Sequence, residues 1–360
     1  MFKNFNVKSS LGDYSVEFNN TEESLNSNLQ EGDILLIDRN VWQLYPEIKE
    51  LVKKNNFILV DATEESKQYS KIGKIIDQLI DMGISKNNRL IAIGGGITQD
   101  IAGFSASIIF RGIDWFFHPT NLQSQADSCI GSKTSVNTDF YKNQLGNFYP
   151  PKKIFIDFNF LNTVSNLTIR SGLGEMLHYF LVDKKIEINE IVDRFKKAET
   201  SKEDLYFLIS SSLSIKKNMI EIDEFDRGPR NIFNYGHTFG HALEASTNFS
   251  VPHGMAVSFG MDLANLISEK EGHISMNERN KMLEPISFIN KSFVLPKFDI
   301  EKYYVSLKKD KKNIGSDINC ILTRGKGNMF KTKLNMSNDI KLLIKSFYEN
   351  KLYRTKLWGI

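Results

Sequence analysis

Two histidines four residues apart are the first feature of this sequence that could do chemistry. His237 and His241 lie in "NYGHTFGHALEA", whose pattern is helical, so both side chains project from one helical face. That spacing is typical of two zinc ligands, and Glu175 and His253 could complete a site. Packing in a core is the common alternative for a single histidine. Four of the six histidines, His178 included, accompany a glutamate and several basic residues, which favours chemistry.

A long polar loop is the second such feature. The segment "PTNLQSQADSCIGSKTSVN", residues 119–137, carries only Asp127 and Lys133 as charges, and "KNQLGNFYPPK" follows with Lys142 and Asn143. Lysines beside serine, threonine and asparagine donors could bind a phosphate or a carboxylate. A glycine-punctuated surface loop is the alternative, but the length of the segment favours a functional loop.

A glycine triplet is the third feature. In "IAIGGGITQDIAGF", residues 91–104, an apolar run leads through three glycines into a helical pattern. Such a turn lets the backbone approach a pyrophosphate, and the new helix offers free N–H groups and the positive end of its dipole. The motif is not G-x-G-x-x-G, so a tight strand–helix turn fits it equally well. Asp38 ends the first apolar run, and Glu64 and Lys67 follow the second. All three are candidate contacts for a ribose or base, although each singly also suits an ordinary surface.

The elements that must position these residues fall into two parts. Buried strands are predicted at 33–38, 57–62, 89–96, 114–119 and 153–158, and a helix between the second and third ends near Gly83. Strand–helix alternation predicts a doubly wound parallel sheet, which is a Rossmann-like α/β fold with ligands at the carboxyl ends of its strands. Beyond about Leu161 helical patterns dominate. We therefore expect an α/β domain over 1–160, a mainly α-helical domain over 161–360, and an active site in a cleft between them.

Composition excludes several classes of protein. The chain of 360 residues has a formal charge of +3, which is too small an excess to indicate nucleic-acid binding. It has no signal-peptide pattern and no run of about 20 apolar residues, so we expect a cytoplasmic protein without a membrane partner. Cys129 and Cys320 form no ligand-like cluster and are expected to be reduced thiols. The run "KKDKK" at 308–312 is most simply a solvated surface.

Seven motifs together resemble one enzyme family. They are "GGGITQDIAGF", "FRGIDW", "PTNLQSQADSCIGSKTSVN", "KNQLGNFYPP", "SGLGEMLHY", "DEFDRGPRNIFNYGHTFGHALEA" and "HGMAVSFGM". Their order resembles that of 3-dehydroquinate synthase and its sugar-phosphate cyclase relatives, from about residue 30 to residue 312. The glycine triplet and the histidines alone would also suit glycerol-dehydrogenase-like metalloenzymes, but "SKTSVN" and "KNQLGNFY" favour the cyclase branch.

The resemblance implies a set of functions for individual residues. Glu175, His237 and His253 would bind a divalent metal, zinc or cobalt, whereas His241 would face the substrate near its phosphate. Arg111 would reach across the interface of a homodimer. Substrate contacts would come from Asp127, Lys133, Asn143, His178, Lys216, Arg230, Asn234 and Lys311. NAD would be held by the first domain, at Asp38, Glu64, Lys67, Gly95, Gly96, Ile97, Asp100, Thr120, Lys133 and Lys142.

The sequence also departs from the family pattern. His178 stands where the family has the lysine of Glu-x-x-Lys, Gln99 replaces a glycine, Asn121 a threonine and Met255 a glutamate. The resemblance implies an NAD- and metal-dependent cyclase that oxidises a ring hydroxyl, eliminates phosphate, returns the hydride and closes a carbocycle. We expect a 3-dehydroquinate synthase acting on a heptulosonate phosphate. The alternatives are a cyclase for another sugar phosphate, an NAD-linked polyol dehydrogenase and, least favoured, a non-catalytic binding protein.

Overall fold

The structure is a computed structural model that describes residues 3–139, 141–308 and 317–357. The chain divides into two compact units. Unit 1 consists of Met1–Val164 and Lys216–Phe225, and unit 2 consists of Ser165–Ile215 and Asp226–Ile360. The boundary that we expected between residues 160 and 161, with its division of functions, stays a prediction.

Unit 1 is built on a seven-stranded sheet in the order β1-β2-β7-β6-β5-β3-β4. Its strands are β1 (Phe5–Val7), β2 (Tyr14–Phe18), β3 (Ile34–Asp38), β4 (Asn56–Val60), β5 (Leu90–Gly94), β6 (Trp115–Pro119) and β7 (Lys153–Ile156). Strand β1 is antiparallel to β2, and all the other pairs are parallel. Strands β3 to β7 correspond to the five apolar runs, whereas β1 and β2 were not predicted. The parallel sheet confirms the expected fold class.

Helices follow the strands and cover the sheet. They are α1 (Thr21–Asn28), α2 (Arg39–Leu44), α3 (Pro46–Val52), α4 (Tyr69–Asp81) and α5 (Gly96–Ile108). Every residue of β3, β5 and β6 is buried, which explains why these strands read as continuous apolar runs. A core that includes Leu35, Ile37, Ile91, Ile93 and Phe155 packs the central strands against α1 to α3.

The strand order reverses between β3 and β5. Strand β3 leads to β4 on one side, whereas β5 leads to β6 and then β7 on the other. In open α/β sheets, ligands bind outside the carboxyl ends of the strands at such a reversal. Asp38 ends β3, and Gly94 ends β5 at the start of the glycine turn, so two predicted segments meet there.

Unit 2 is mainly helical. Its helices are α6 (Asn166–Val182), α7 (Ile188–Ala198), α8 (Lys202–Ile220), α9 (His237–Ser246), α10 (His253–Lys270), α11 (Met276–Ile289), α12 (Ile300–Lys308) and α13 (Asn338–Leu357). The last residues of α8, from Lys216 onward, belong to unit 1. An antiparallel pair, β8 (Asp317–Thr323) and β9 (Met329–Asn335), was not predicted. Within the described part of the chain, we find no helix with the length and hydropathy needed to span a lipid bilayer.

Candidate functional site

Three side chains of unit 2 converge as metal ligands would. Glu175 lies on α6, and His237 and His253 are the first residues of α9 and α10. Glu175 Oε1 is 3.3 Å from His237 Nε2, and Glu175 Oε2 is 3.1 Å from His253 Nε2. Nitrogen and oxygen ligands about 2.0–2.1 Å from a tetrahedral zinc lie roughly 3.3 Å apart, so these separations suit a shared divalent ion.

Close packing of helices produces this convergence. A Cβ on Gly254 would lie 1.8 Å from the carbonyl oxygen of Ser171, and a Cβ on Gly174 would lie 2.2 Å from the carbonyl oxygen of Gly254. Only glycine lets the backbones of α6 and α10 come this near. Glu175 and His253 directly adjoin these glycines, so the close approach brings their side chains together.

The electrostatics of the cluster favour a charged carboxylate. Burial alone would raise the pKa of Glu175, but the charges and hydrogen bonds of His237 and His253 outweigh it and hold the pKa well below its usual range. Burial would lower the pKa of His253, and Glu175 with Glu244 reverses this effect and raises it well above the ordinary value. A buried carboxylate whose two oxygens face imidazole nitrogens is well suited to a divalent cation.

Glu244 contacts the outer nitrogen of His253. Glu244 Oε2 lies 3.0 Å from His253 Nδ1, on the opposite side of the ring from Glu175. His241, Glu244 and His253 also form a second group with donor atoms within 4.8 Å of one another, as do Glu175, His237 and His253. We favour the Glu175 group as the metal site because its carboxylate is buried and both its oxygens face imidazole nitrogens.

His241 is placed differently from His237, although both lie on α9. Its ring centroid is 5.4 Å from that of His237 and 5.6 Å from that of His253, and the residue is exposed to solvent. Burial, followed by the charges of His237 and His253, lowers the pKa of His241 to about 3. His241 is therefore neutral at neutral pH and can accept a proton or a hydrogen bond.

His178 is buried beside the cluster. Its Nδ1 lies 3.8 Å from Glu175 Oε1, and its ring centroid is 5.0 Å from that of His237. The ring also packs against Tyr179 and Phe233. The residue that departs from the family pattern is thus in contact with the candidate metal ligands.

Two other predicted residues of unit 2 lie on one turn. Arg230 and Asn234 belong to the 3₁₀ helix Pro229–Asn234, which directly precedes the turn into α9. Arg230 is buried, and Asn234 Nδ2 donates to the carbonyl oxygen of Asn231 at 3.0 Å. Lys311 lies outside the described residues, as does most of the lysine run at 308–312.

In unit 1, Asp127 holds Lys216. Lys216 Nζ donates to Asp127 Oδ1 at 2.7 Å and to its carbonyl oxygen at 2.6 Å. Asp127 lies in a single π-helical turn, Ser124–Ser128, a geometry that is frequent at functional sites. Gln99 fixes the end of this turn, because its side chain donates to Ser128 O at 2.6 Å and accepts from Ser128 Oγ at 2.7 Å. Gln99, which stands where the family pattern has a glycine, therefore holds the loop that carries Asp127 by two hydrogen bonds.

Predicted nucleotide contacts gather at the carboxyl ends of β3, β5 and β6. Thr120 follows β6 and donates its N–H to Gly94 O at 3.0 Å, while Gly95 and Gly96 begin α5, followed by Ile97 in its first turn. Asp38 accepts from Asn40 N at 2.8 Å, and burial raises the pKa of its carboxyl. Gly95, as the N-cap of α5, offers no side chain to the first N–H groups of the helix, which leaves them for an anion.

A second group of predicted contacts surrounds Lys67. Lys67 Nζ lies 2.7 Å from Asp100 Oδ2 and donates to Asn143 Oδ1 at 2.9 Å. Burial raises the pKa of Asp100, against the opposing effect of the Lys67 charge. Lys142 Nζ lies 3.5 Å from Glu64 Oε2. These contacts form two adjacent groups of predicted residues in unit 1: Lys67 with Asp100 and Asn143, and Glu64 with Lys142.

Lys133 and Arg111 are exposed residues of the same unit. Arg111 lies on a tight turn where Phe110, Arg111 and Gly112 all have positive φ, at 49°, 61° and 109°. Lys86 donates to the carbonyl oxygens of Phe110 and Gly112, which stabilises this turn. Ile108 and Phe110, which precede Arg111 in the chain, are 44% and 46% exposed, so this turn carries two exposed apolar side chains.

The sequence assigned no contact to Glu244, Gln99 or Asn137, which the structure places against predicted site residues or the loop that carries them. Glu244 lies seven residues after His237, and that helical spacing is the signal that could have placed it beside the cluster. The pairing of Gln99 with Ser128 and the contacts of Asn137 have no local signal, because their partners are distant in sequence.

Comparison with known proteins gives the family. The profile described as 3-dehydroquinate synthase N-terminal matches residues 57–171, and that described as 3-dehydroquinate synthase C-terminal matches residues 172–313. The chain is 34% identical over 346 residues to the 3-dehydroquinate synthase of Campylobacter concisus, covering 94% of this chain and 96% of that protein. The chain belongs to the 3-dehydroquinate synthase family.

Solved structures agree with this family at the level of the fold. A 2-deoxy-scyllo-inosose synthase complexed with carbaglucose-6-phosphate, NAD⁺ and Co²⁺ is 23% identical, with a TM-score of 0.85 over 96% of this chain and 98% of that chain. The 2-epi-5-epi-valiolone synthase of Streptomyces hygroscopicus, with NAD⁺ and Zn²⁺ bound, is 22% identical, with a TM-score of 0.81 over 94% of this chain and 97% of that chain. This member of the 3-dehydroquinate synthase family therefore shares its fold with cyclases named for other products.

Proposed function

We propose that the protein is an NAD- and divalent-metal-dependent sugar-phosphate cyclase, a 3-dehydroquinate synthase that converts a heptulosonate phosphate into 3-dehydroquinate and phosphate. The observation that carries this proposal is the convergence of Glu175, His237 and His253, at 3.1 and 3.3 Å, in a chain of this family. Such an enzyme is a carbon–oxygen lyase, since phosphate leaves by elimination.

The metal would be held by Glu175, His237 and His253. Two imidazoles and a carboxylate are a common catalytic zinc set that leaves positions open for substrate oxygens, and cobalt suits the same ligands. When bound, the ion polarises hydroxyl and ketone oxygens of the substrate. Glu244 fixes the orientation of His253 by accepting from its Nδ1, so that Nε2 stays directed at the site.

NAD would be held by the carboxyl edge of the sheet in unit 1. The uncapped first turn of α5 suits a pyrophosphate, and Asp38, Glu64 and Lys67 are placed to contact ribose or base. The remaining NAD contacts that we propose are Gly95, Gly96, Ile97, Asp100, Thr120, Lys133 and Lys142. The reversal of strand order between β3 and β5 supports this placement.

The anionic substrate would be bound by cations and amides. Lys216 uses two N–H groups on Asp127, which fixes its direction and leaves the third for a substrate oxygen. Arg230 and Asn234 would bind the substrate carboxylate. Lys133 and Asn143 would supply further substrate contacts. His241, neutral at neutral pH, would face the leaving phosphate and can take part in its proton transfers.

A homodimer would complete the site. Arg111, on an exposed turn just after the exposed apolar side chains of Ile108 and Phe110, would reach the partner's substrate. We also propose Lys311 as a substrate contact, on the resemblance alone.

A cyclase for a different sugar phosphate is the second candidate. It is favoured by His178, which is 1% exposed beside Glu175 where the family pattern has a lysine. A sugar phosphate that lacks the partner of that lysine, such as sedoheptulose 7-phosphate, would be its substrate.

Phosphate release tests both candidates. The purified protein with NAD and zinc or cobalt is given the heptulosonate phosphate, sedoheptulose 7-phosphate or glucose 6-phosphate. We expect phosphate from the first substrate and a flat absorbance at the NADH band, because the hydride returns to the product. NADH that accumulates with product would support the polyol dehydrogenase instead, and phosphate from another sugar alone would support the second candidate.

A further inference from the structure

Asn137 joins two segments of unit 1 through buried hydrogen bonds. It is 4% exposed, and its side-chain Nδ2 donates to Glu64 at both the carbonyl oxygen, 2.9 Å, and the carboxylate Oε2, 3.0 Å. Its Oδ1 accepts the backbone N–H of Asn143 at 2.8 Å. Both ends of a single amide are therefore committed, one to each segment.

The backbone of Asn137 adds two further bonds to the Glu64 side. Its N–H donates to Lys67 O at 2.9 Å, and its carbonyl oxygen accepts from Tyr69 N at 2.9 Å. Lys67 in turn donates its Nζ to Asn143 Oδ1 at 2.9 Å. Asn143 has a φ of +53°, a backbone conformation that needs such support. The 3₁₀ turn Glu64–Lys67 and Asn143 are thus fixed to each other directly by the Lys67 bond and, with more bonds, through Asn137.

We propose that Asn137 is a positioning residue that holds the NAD-contacting Glu64 and the substrate-contacting Asn143 in register. This inference rests on the proposed function, which assigns Glu64 to NAD and Asn143 to the sugar phosphate. NAD binding orders the turn that carries Glu64, and Asn143 is hydrogen-bonded to that turn through Asn137. Binding of the sugar phosphate to Asn143 orders the same turn from the other side. The two binding events are therefore linked, and each ligand increases the affinity for the other.

An amide is required at this position for a simple reason. The Nδ2 group gives two donors to two oxygens of Glu64, and Oδ1 gives the acceptor for Asn143 N. Asn137→Asp keeps the acceptor for Asn143 N but places a carboxylate oxygen against the two Glu64 oxygens, so it loses only the hydrogen bonds to Glu64. Asn137→Ala loses the side-chain hydrogen bonds to both Glu64 and Asn143. The pair of substitutions therefore separates the two arms of the amide.

The matched control is Asn147→Asp. Asn147 is an amide of the same loop. It accepts from Thr134 Oγ1 at 2.6 Å and donates to Ser107, and neither bond involves Glu64 or Asn143. Its substitution makes the same chemical change and tests whether any loosening of the loop has the same effect. Melting temperatures of all variants report the purely structural contribution.

The experiment measures NAD affinity by titration calorimetry and the KM for the sugar phosphate at saturating NAD, for the full-length protein with metal. We expect Asn137→Asp to weaken NAD binding by on the order of tenfold with little change in substrate KM. Asn137→Ala should weaken NAD binding and also raise substrate KM, and Asn147→Asp should change neither. In the wild type, inorganic phosphate as a substrate fragment should strengthen NAD binding, and this linkage should be clearly weakened in Asn137→Ala, which keeps only the direct bond from Lys67 to Asn143.

The outcomes separate this inference from the proposed function. A wild type that binds no NAD would overturn the proposed function itself. NAD binding that is normal in the wild type and unchanged in Asn137→Asp would overturn the inference alone. If Asn137→Asp and Asn147→Asp lose NAD affinity equally, and if these losses follow the decrease in melting temperature, Asn137 has a structural role only.

Discussion

Glu244 and Glu175 hold His253 from opposite sides of its ring. Glu244 Oε2 lies 3.0 Å from Nδ1, and Glu175 Oε2 lies 3.1 Å from Nε2. A carboxylate on one nitrogen fixes the tautomer and the direction of an imidazole that binds metal through the other nitrogen. His253 therefore has the geometry of a metal ligand with an outer carboxylate that orients it.

The first prediction concerns that outer carboxylate. Glu244→Gln keeps the size of the side chain but weakens its hold on His253 Nδ1, so metal affinity should fall about 10–100-fold. Competition with a chelator measures this affinity directly. Glu269→Gln on α10, the helix of His253, is the control, because Glu269 pairs with Arg279 at 2.9 Å and not with the cluster. Equal affinities in Glu244→Gln and wild type would contradict the role of Glu244.

The second prediction separates the two histidines of α9 from each other. His253→Ala and His237→Ala should lose the bound metal, which we expect at about one ion per chain in the wild type. His241→Ala should keep most of its metal but lose turnover by at least about a hundredfold, since it removes a neutral imidazole that faces the substrate. Elemental analysis and phosphate release measure the two properties. Loss of metal in His241→Ala with retention in His237→Ala would favour the second group, His241, Glu244 and His253.

The third prediction concerns the packing of α6 against α10. In Gly254→Ala, the new Cβ would lie 1.8 Å from Ser171 O, so the helices must separate. We expect a loss of stability of about 1–3 kcal/mol and weaker metal binding, because Glu175 and His253 move apart. Thermal unfolding and chelator competition measure these effects.

Gly73→Ala is the control for this substitution. Gly73 lies inside α4, where a Cβ would meet nothing within 4 Å. Alanine there should stabilise the protein by up to about 1 kcal/mol without changing metal affinity. A stable Gly254→Ala variant with normal metal binding would show that the close approach of the helices is not needed.

The central sheet could be predicted from the sequence, and its margins could not. Strands β3, β5 and β6 are buried on both faces, so each is a continuous apolar run. Strand β1 has only three residues, and β9, Met329–Asn335, alternates exposed lysines with partly buried residues. Short or half-exposed strands carry little apolar signal, and their pairing depends on distant partners.

The same distinction holds for the candidate site. Glu175, His237 and His253 were predicted through the resemblance to a family, because local spacing alone equally supported the pair His237 and His241. Helical spacing could have placed Glu244 beside the cluster, but its contact with His253 and the bonds of Asn137 join different segments, which no sequence period reveals. These contacts are therefore where the structure adds most to the sequence.

The last prediction concerns His178 and the choice of substrate. His178 is 1% exposed, and its Nδ1 lies 3.8 Å from Glu175 Oε1, so a lysine in its place would have a carboxylate to offset its buried charge. An ammonium adds a charge-assisted donor, which is worth about 1.5–3 kcal/mol toward a substrate oxygen. We expect His178→Lys to raise kcat/KM for the heptulosonate phosphate, relative to sedoheptulose 7-phosphate, by on the order of tenfold or more.

The control for this substitution is His178→Met, which fills a similar buried volume without any charge. It should lower turnover of both sugar phosphates and leave their ratio near that of the wild type, because it supplies no new donor. Initial rates of phosphate release measure these effects. A higher preference for the heptulosonate phosphate in His178→Lys, but not in His178→Met, would mean that the charge at position 178 selects the substrate. If His178→Lys only lowers both rates, and the wild type already prefers the heptulosonate phosphate, then histidine serves that substrate as it stands and the second candidate function is wrong.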